Sequence, residues 1–302
     1  MNIPLSKIQR INHTDFDSIE LFIKRDDQID DNVSGNKLYK LIYNLEHARS
    51  LGYMSILTFG GAYSNHIAAT ASMCHSAGFQ SIGIIRGERP KNINPTLAYA
   101  KKCGMRLQFI SREAYRKKDE KEQIEETKLQ HPDSFLIPEG GSNLLGILGA
   151  KRMVDERTSD FDYIITAIGT GTTFAGLVKA AKPEQCIVGI PIHKHDRIID
   201  DILKIYPSFQ LQMQSKARIV NGYHCGGYAK WDISLVNFIG NFYSQTKIKL
   251  DPIYTGKAMM AIKDLVKTNR IEPNSKVLFI HTGGIQGVKG FEERFKLKLF
   301  YD

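Results

Sequence analysis

Eight short apolar runs, separated by segments of helical period, govern what this chain of 302 residues can fold into. The runs are IELFIKR (19–25), MSILTFG (54–60), SIGIIRG (81–87), RLQFISR (106–112), SFLIPEG (134–140), YIITAIG (163–169), CIVGIPI (186–192) and KVLFIHTGG (276–284). Helical period or helix-like composition fills 36–50, 64–78, 94–103, 114–130, 143–158, 174–182, 196–205, 232–246 and 256–269. Strands that alternate with helices predict βαβ units, because a parallel pair needs a crossover and the crossover covers a sheet face. Eight strands with several long excursions strain a single sheet. The expected fold class is therefore α/β, with two open, twisted, mainly parallel sheets covered by helices. Four of the strands fall within 49–145, which predicts a smaller α/β domain there and a larger one built from 1–48 and 146–302.

Composition narrows the function classes. At 42% hydrophobic and 24% charged residues the chain reads as a soluble protein with a sizeable core. No window approaches the ~20 apolar residues of a membrane span, and the opening MNIPLSKIQRINHTDF has no apolar export region. Cys74, Cys103, Cys186 and Cys225 are scattered, which points to reduced thiols and a cytoplasmic protein. The net charge of +9 is spread along the chain, and stretches such as YRKKDEKEQIEE interleave bases with acids as on a solvated helix face. No aromatic-basic motif of a nucleic-acid reader accompanies it. His193 and His195 in PIHKHDR lack a thiolate or carboxylate at ligand spacing, so they read as surface histidines and no metal is expected.

Five stretches could carry chemistry. In SGNKLYK (34–40) a helix opens at Asn36, with Leu38, Leu41, Ile42, Leu45 and Ala48 on one stripe and Gly52 as its stop. Lys37 and Lys40 lie off that stripe in the first turn, where the helix dipole disfavours cations. Such a local conflict marks either function or plain exposure, and this stretch alone does not choose. In GGAYSNHIAATASMC (60–74) two glycines end a strand where α/β folds bind ligands, and Ser64 and Asn65 follow. Either could simply cap the next helix. In AIGTGTTFAGL (167–177) a strand runs through Gly169, Thr170, Gly171, Thr172 and Thr173 into a helix, offering N–H groups and hydroxyls to an anion. No GK[ST] follows, and Phe174 stands where a dinucleotide fingerprint needs its third glycine, so a lone phosphate is the expected ligand. DPIYTGKAM (251–259) places Tyr254 and Thr255 before a helix, and FIHTGGIQG (279–287) ends a strand in Thr282-Gly-Gly. Turn chemistry alone would account for both of these.

Together and in this order the five stretches resemble the fold type II family of pyridoxal 5′-phosphate enzymes, the architecture of the tryptophan synthase β subunit. Within it they are similar to the branch of D-cysteine desulfhydrase and 1-aminocyclopropane-1-carboxylate (ACC) deaminase. The resemblance runs from IKRDD near 23–27 to HTGG at 281–284. It implies that Lys37 binds the cofactor covalently and that Asn65 bonds its ring hydroxyl. It further implies that 169–173 cradle the phosphate with help from Lys40, and that Thr255 lies against the pyridine nitrogen. Ser64 would face the substrate carboxylate, Tyr254 and Tyr228 would flank the substrate, and Thr282 would lie near the ring. The larger domain would hold the cofactor, and the family suggests a homodimer.

ACC deaminases of the branch carry Glu after the tyrosine and Leu in the later H-x-GG element. Thr255 and Thr282 stand there in this chain, as in the D-cysteine desulfhydrases. A neutral threonine leaves the ring a weaker electron sink, which suits elimination of a thiolate. The expected activity is conversion of D-cysteine to pyruvate, sulfide and ammonia, with ACC or another small amino acid as the alternative substrate. A metabolite-binding α/β protein without catalysis is the reading from a different class. The chain departs from the branch at Tyr63, where glutamine usually precedes Ser-Asn, and its segment IIRGERP (84–90) has no assigned role.

Overall fold

The computed structural model describes residues 3–30, 33, 35–194 and 197–301. Ser34, which opens SGNKLYK, and His195 lie outside the described residues. The strands are β1 (Ile8–Arg10), β2 (Glu20–Lys24), β3 (Ser55–Gly60), β4 (Gln80–Arg86), β5 (Arg106–Ile110), β6 (Ser134–Ile137), β7 (Tyr163–Ile168), β8 (Cys186–Pro191), β9 (Ala217–Ile219) and β10 (Lys276–Ile280). The helices are α1 (Asn36–Ser50), α2 (Asn65–Ala77), α3 (Pro95–Lys102), α4 (Arg112–Arg116), α5 (Lys121–Gln130), α6 (Leu144–Lys151), α7 (Thr172–Ala180), α8 (Ile198–Ile205), α9 (Phe209–Lys216), α10 (Ile233–Thr246), α11 (Thr255–Lys267) and α12 (Gln286–Phe295).

These elements form two sheets. One has six strands in the order β1-β2-β10-β7-β8-β9, and the other has four in the order β5-β4-β3-β6. Every pairing is parallel except β1 with β2. The runs read as continuous apolar stretches because both sheet faces are covered. In β10, Val277 and Phe279 enter one core with Ile262 and Leu265 of α11. Leu278 and Ile280 enter the opposite core with Ile147 of α6 and Phe174 of α7.

Four elements escape the period-based reading: β1, β9, α9 and α12. β1 and β9 are three-residue edge strands, too short to leave a periodic signal. The helix expected over 114–130 is broken into α4 and α5, and the one expected over 143–158 stops at Lys151.

α1 differs most from its expected single stripe. Leu41, Ile42, Leu45 and Ala48 pack toward the four-stranded sheet with Ile56, while Tyr39 joins the core of the six-stranded one. Leu38 is only half-buried, whereas Lys40 and Asn44 are buried. The helix lies between the two sheets and cannot keep one polar face in water. Two small residues permit this. A Cβ on Gly149 of α6 would stand 1.9 Å from Tyr39 O, and one on Gly176 of α7 would stand 2.6 Å from the Ala150 Cβ of α6. Glycine thus brings α1, α6 and α7 to backbone contact, which sets α1's first turn beside α7's.

Candidate active site

The C-terminal ends of β3, β7 and β10 open toward the first turns of α1, α2, α7 and α11, and the singled-out stretches meet there. Gly35 (φ +73°) lies so close to the chain after β10 that a Cβ would stand 1.9 Å from Thr282 O. That same carbonyl accepts a bond from Asn36 N at 3.3 Å. Asn36 Nδ2 donates to Thr173 Oγ1 at 2.9 Å, joining α1 to α7, and Lys37 Nζ donates to Asn36 Oδ1 at 2.9 Å. Desolvation pulls the Lys37 amine down to about 8, partly opposed by the negative charge of Asp251.

Lys40 lies one turn deeper. It is buried and its Nζ donates to Gly140 O at 3.3 Å, so plain exposure, one of the two alternatives left open for Lys40, does not hold. Burial and then the neighbouring Lys37 lower its pKa well below the ordinary lysine value. Gly140 in turn abuts the loop after β7, since a Cβ there would meet Thr170 Cγ2 at 3.0 Å. Lys40 therefore reaches the 169–173 loop through the Gly140 peptide and makes no direct bond to it among the described residues.

That loop ends in Gly171 (φ +83°), which caps α7 with no side-chain hydrogen bond. Gly171, Thr172 and Thr173 are buried, and the first N–H groups of a helix have no intrahelical acceptor. Thr170 Oγ1 and Thr172 Oγ1 pair at 3.0 Å, and Thr172 donates to Ser142 Oγ at 3.1 Å. A buried, uncapped helix start beside two lysines is electrostatically suited to an anion.

Ser64 caps α2, its Oγ accepting from Ile67 N at 3.4 Å, and Asn65 Oδ1 accepts from Gln286 Nε2 at 3.2 Å. Thr255 is fully buried, and its hydroxyl accepts from Asp251 N and donates to Asp251 Oδ2, both at 2.7 Å. The Asp251 carboxylate also accepts the N–H groups of Ile253, Tyr254 and Thr255. A Cβ on Gly284 would stand 3.1 Å from Asp251 Oδ2 and 3.2 Å from Asn65 Nδ2, so glycine leaves room between them. Tyr254 lies beside Gly169, where a Cβ would stand 3.2 Å from its ring. Its ring meets that of Tyr228 edge-on at 6.4 Å, and burial raises the pKa of both phenols. Tyr228 stands at the rim, on a segment that also brings it edge-on to His193 at 6.4 Å. His193 is thus half-buried against an aromatic ring and not a plain surface residue.

Sequence reasoning gave no role to Asp251 or His66 and did not bring Gly140 and Ser142 into this cluster. His66 is buried, and its Nε2 lies 2.8 Å from Thr58 Oγ1. Thr58 spends its own proton on Ile137 O, so Nε2 carries the hydrogen and Nδ1 is left buried without a partner. Desolvation, with Lys37 and Lys40 nearby, keeps the ring neutral. The Asp-Pro turn that opens DP-x-Y-T was the available signal for Asp251, since an aspartate carboxylate accepts the N–H groups of the residues that follow it in a turn. Tyr63 packs its ring on the position where a Gly290 Cβ would stand, on α12. IIRGERP contributes Arg86, whose guanidinium lies over the Tyr115 ring at 5.9 Å.

The sequence matches the family described as pyridoxal-phosphate dependent enzyme over residues 2–283. It is 28% identical over 304 residues to the D-cysteine desulfhydrase of Klebsiella pneumoniae, covering 93% of this chain and 91% of that protein. It is 30% identical over 301 residues to the bifunctional D-cysteine desulfhydrase/1-aminocyclopropane-1-carboxylate deaminase, mitochondrial, of Arabidopsis thaliana, covering 89% and 73%. The fold superposes on the crystal structure of an ACC deaminase homologue with a TM-score of 0.84 and 27% identity, covering 98% of this chain and 96% of that one.

Proposed function

The chain belongs to the pyridoxal-phosphate-dependent enzymes, and on that premise we propose that it is a lyase of small amino acids, converting D-cysteine and water to pyruvate, sulfide and ammonia. The residues fit the cofactor. A Lys37 amine with a depressed pKa, a buried uncapped helix start at 171–173 and an incompletely bonded Lys40 are what an anionic aldehyde would relieve. When bound, pyridoxal phosphate supplies the electron sink that makes the substrate α-proton removable.

This chain's own residues do the rest. Lys37 Nζ would hold the cofactor, and with its depressed pKa the freed amine would take the substrate α-proton. Thr172, Thr173 and the N–H groups of α7 hold the phosphate with Thr170, Gly169 and Gly171, and Lys40 adds charge from beneath. Asn65 would hold the ring hydroxyl, Thr282 would border the ring, and Ser64 would orient the substrate carboxylate. Tyr254, whose raised pKa keeps it protonated, would donate a hydrogen bond to the departing sulfur while Tyr228 covers the mouth.

Thr255 carries the choice of substrate. Thr255 is neutral and the Asp251 oxygens are filled by four donors, so a cofactor held there would find no free carboxylate to keep its ring nitrogen protonated. Such a ring favours loss of a good leaving group. ACC is the second reading, favoured by the double name of the Arabidopsis relative. Parallel assays of sulfide, pyruvate and 2-oxobutanoate separate the two. A yellow preparation whose visible band is lost in Lys37→Ala supports the enzyme, and a colourless protein that cannot be loaded sinks it.

The same reading treats residues 1–48 and 146–302 as the cofactor-binding domain and 49–145 as the smaller one. Strands β3–β6 pairing only with one another support that division. It also takes the protein as a cytoplasmic homodimer. Four free cysteines support the reducing compartment, and light scattering at twice the chain mass would support the dimer. Among the described residues no helix is long and apolar enough to cross a membrane.

A further inference from the structure

Lys257 belongs to the first turn of α11, three residues beyond Tyr254, and is completely buried. A lysine so placed needs acceptors for three N–H bonds, and it has them. Nζ donates to Ile192 O at 3.2 Å, His224 O at 2.9 Å and Gly227 O at 3.1 Å. All three acceptors are main-chain carbonyls. Ile192 follows β8 at the C-terminal edge of the large sheet, whereas His224 and Gly227 belong to the segment 221–231, which contains neither helix nor strand.

That segment is poorly able to hold its own shape. Gly222, Cys225, Gly226, Gly227 and Ala229 all have positive φ, and two of the five are residues with a Cβ that disfavours this region. Its internal main-chain bonds are Gly227 N to His224 O at 2.9 Å and Lys230 N to Gly227 O at 3.2 Å. The two carbonyls that make these turns are the same two that Lys257 grips. Trp231 anchors the far end on Phe291 and Phe295 of α12, with centroids 5.7 and 5.2 Å away. Between those anchors stands Tyr228.

We infer that Lys257 is a positioning residue whose ammonium clamps the 221–231 segment to the sheet edge and to α11, holding Tyr228 over Tyr254 at the mouth of the site. The inference deepens the proposed function and rests on it for the role of Tyr228. Tyr254, Thr255 and the clamp occupy one turn of one helix, so the groups below the substrate and the cover above it are set by the same element.

The test uses the cofactor-loaded protein and Lys257→Met, which keeps the volume and removes the donors. Trypsin should cut after the exposed Lys230 at least tenfold faster than in the wild type. Trp231, the single tryptophan of the chain, should be more readily quenched by acrylamide, with the visible band at Lys37 unchanged. KM for D-cysteine should rise at least tenfold with a smaller change in kcat. In the Tyr228→Ala background the same substitution should change kcat/KM less than twofold. Unchanged cleavage and quenching, or penalties that multiply in the double variant, overturn the inference. If Lys257→Met does not fold, amide exchange of the wild type decides: slow exchange at Gly227 and Lys230 supports the clamp, and immediate exchange refutes it. Cleavage, quenching and exchange need no substrate, so a wild-type protein that releases no sulfide retires only the substrate reading.

Discussion

Replacing Asn36 by Asp should slow cofactor capture at neutral pH and leave it intact at high pH. The Lys37 amine, at about 8, is neutral in about 9% of molecules at pH 7, against about 0.03% for a lysine at 10.5. Only the neutral amine attacks an aldehyde, so capture of pyridoxal phosphate by the apoprotein should rise with pH and level off above about 9. Asn36 Oδ1 accepts the Lys37 ammonium at 2.9 Å, and aspartate is its isostere. A carboxylate at that distance favours the charged amine by several kcal/mol at an effective dielectric of ~20, and surface screening leaves at least ~1.4 kcal/mol. The midpoint then moves above about 9, the neutral fraction at pH 7 falls to about 1%, and capture slows about tenfold. Thr173, which now accepts from Asn36, can donate to the new carboxylate and keep α1 against α7. Stopped-flow growth of the visible band across pH 6–10.5 reads both curves, which should converge at the top. Identical midpoints would refute the electrostatic argument. A wild-type rate still climbing at pH 10 would show that Lys37 is not desolvated.

Two further outcomes follow from the same geometry. Lys37→Met should stabilise the apoprotein at pH 7 by about 1–3 kcal/mol, because folding the wild type desolvates a charge there. The wild-type amine titrates near 8 folded and 10.5 unfolded, so the unfolded chain binds more protons between these values and the gain should fade as pH rises from about 8 to 10.5. Denaturant titrations of both proteins across that range check the sign. Gly35→Ala should weaken cofactor binding and lower Tm well beyond Gly52→Ala. Both residues have positive φ, which costs about 1–3 kcal/mol, but only Gly35 also drives a Cβ to 1.9 Å from Thr282 O, while Gly52 faces open space.

The alternating apolar runs fix both parallel sheets because a strand buried on two faces must be apolar at every position, and that is written locally. The glycine-threonine loop before α7 is equally legible, since a strand, a tight turn and a helix start are contiguous. Lys37 stood out only as a cation where the helix dipole opposes one. Its depressed pKa depends on a setting in which its partner Asn36 docks on Thr173 and Thr282, more than 130 residues away in sequence. The burial of Lys40, and Lys257 altogether, were illegible for the same reason. A lysine in a sequence looks solvated, and only the packing of α1 between two sheets, or of α11 beneath a loop, removes its water and replaces it with carbonyls. Thr255 was legible as a neutral residue, but Asp251, which holds its proton, gained meaning only once the turn before α11 folded. Periodicity records how each segment meets the core, so the sequence by itself determined the layers and the strand ends where chemistry gathers. Which polar groups lose water, and which partners they find instead, depends on contacts between distant segments, and the tertiary structure alone decided that.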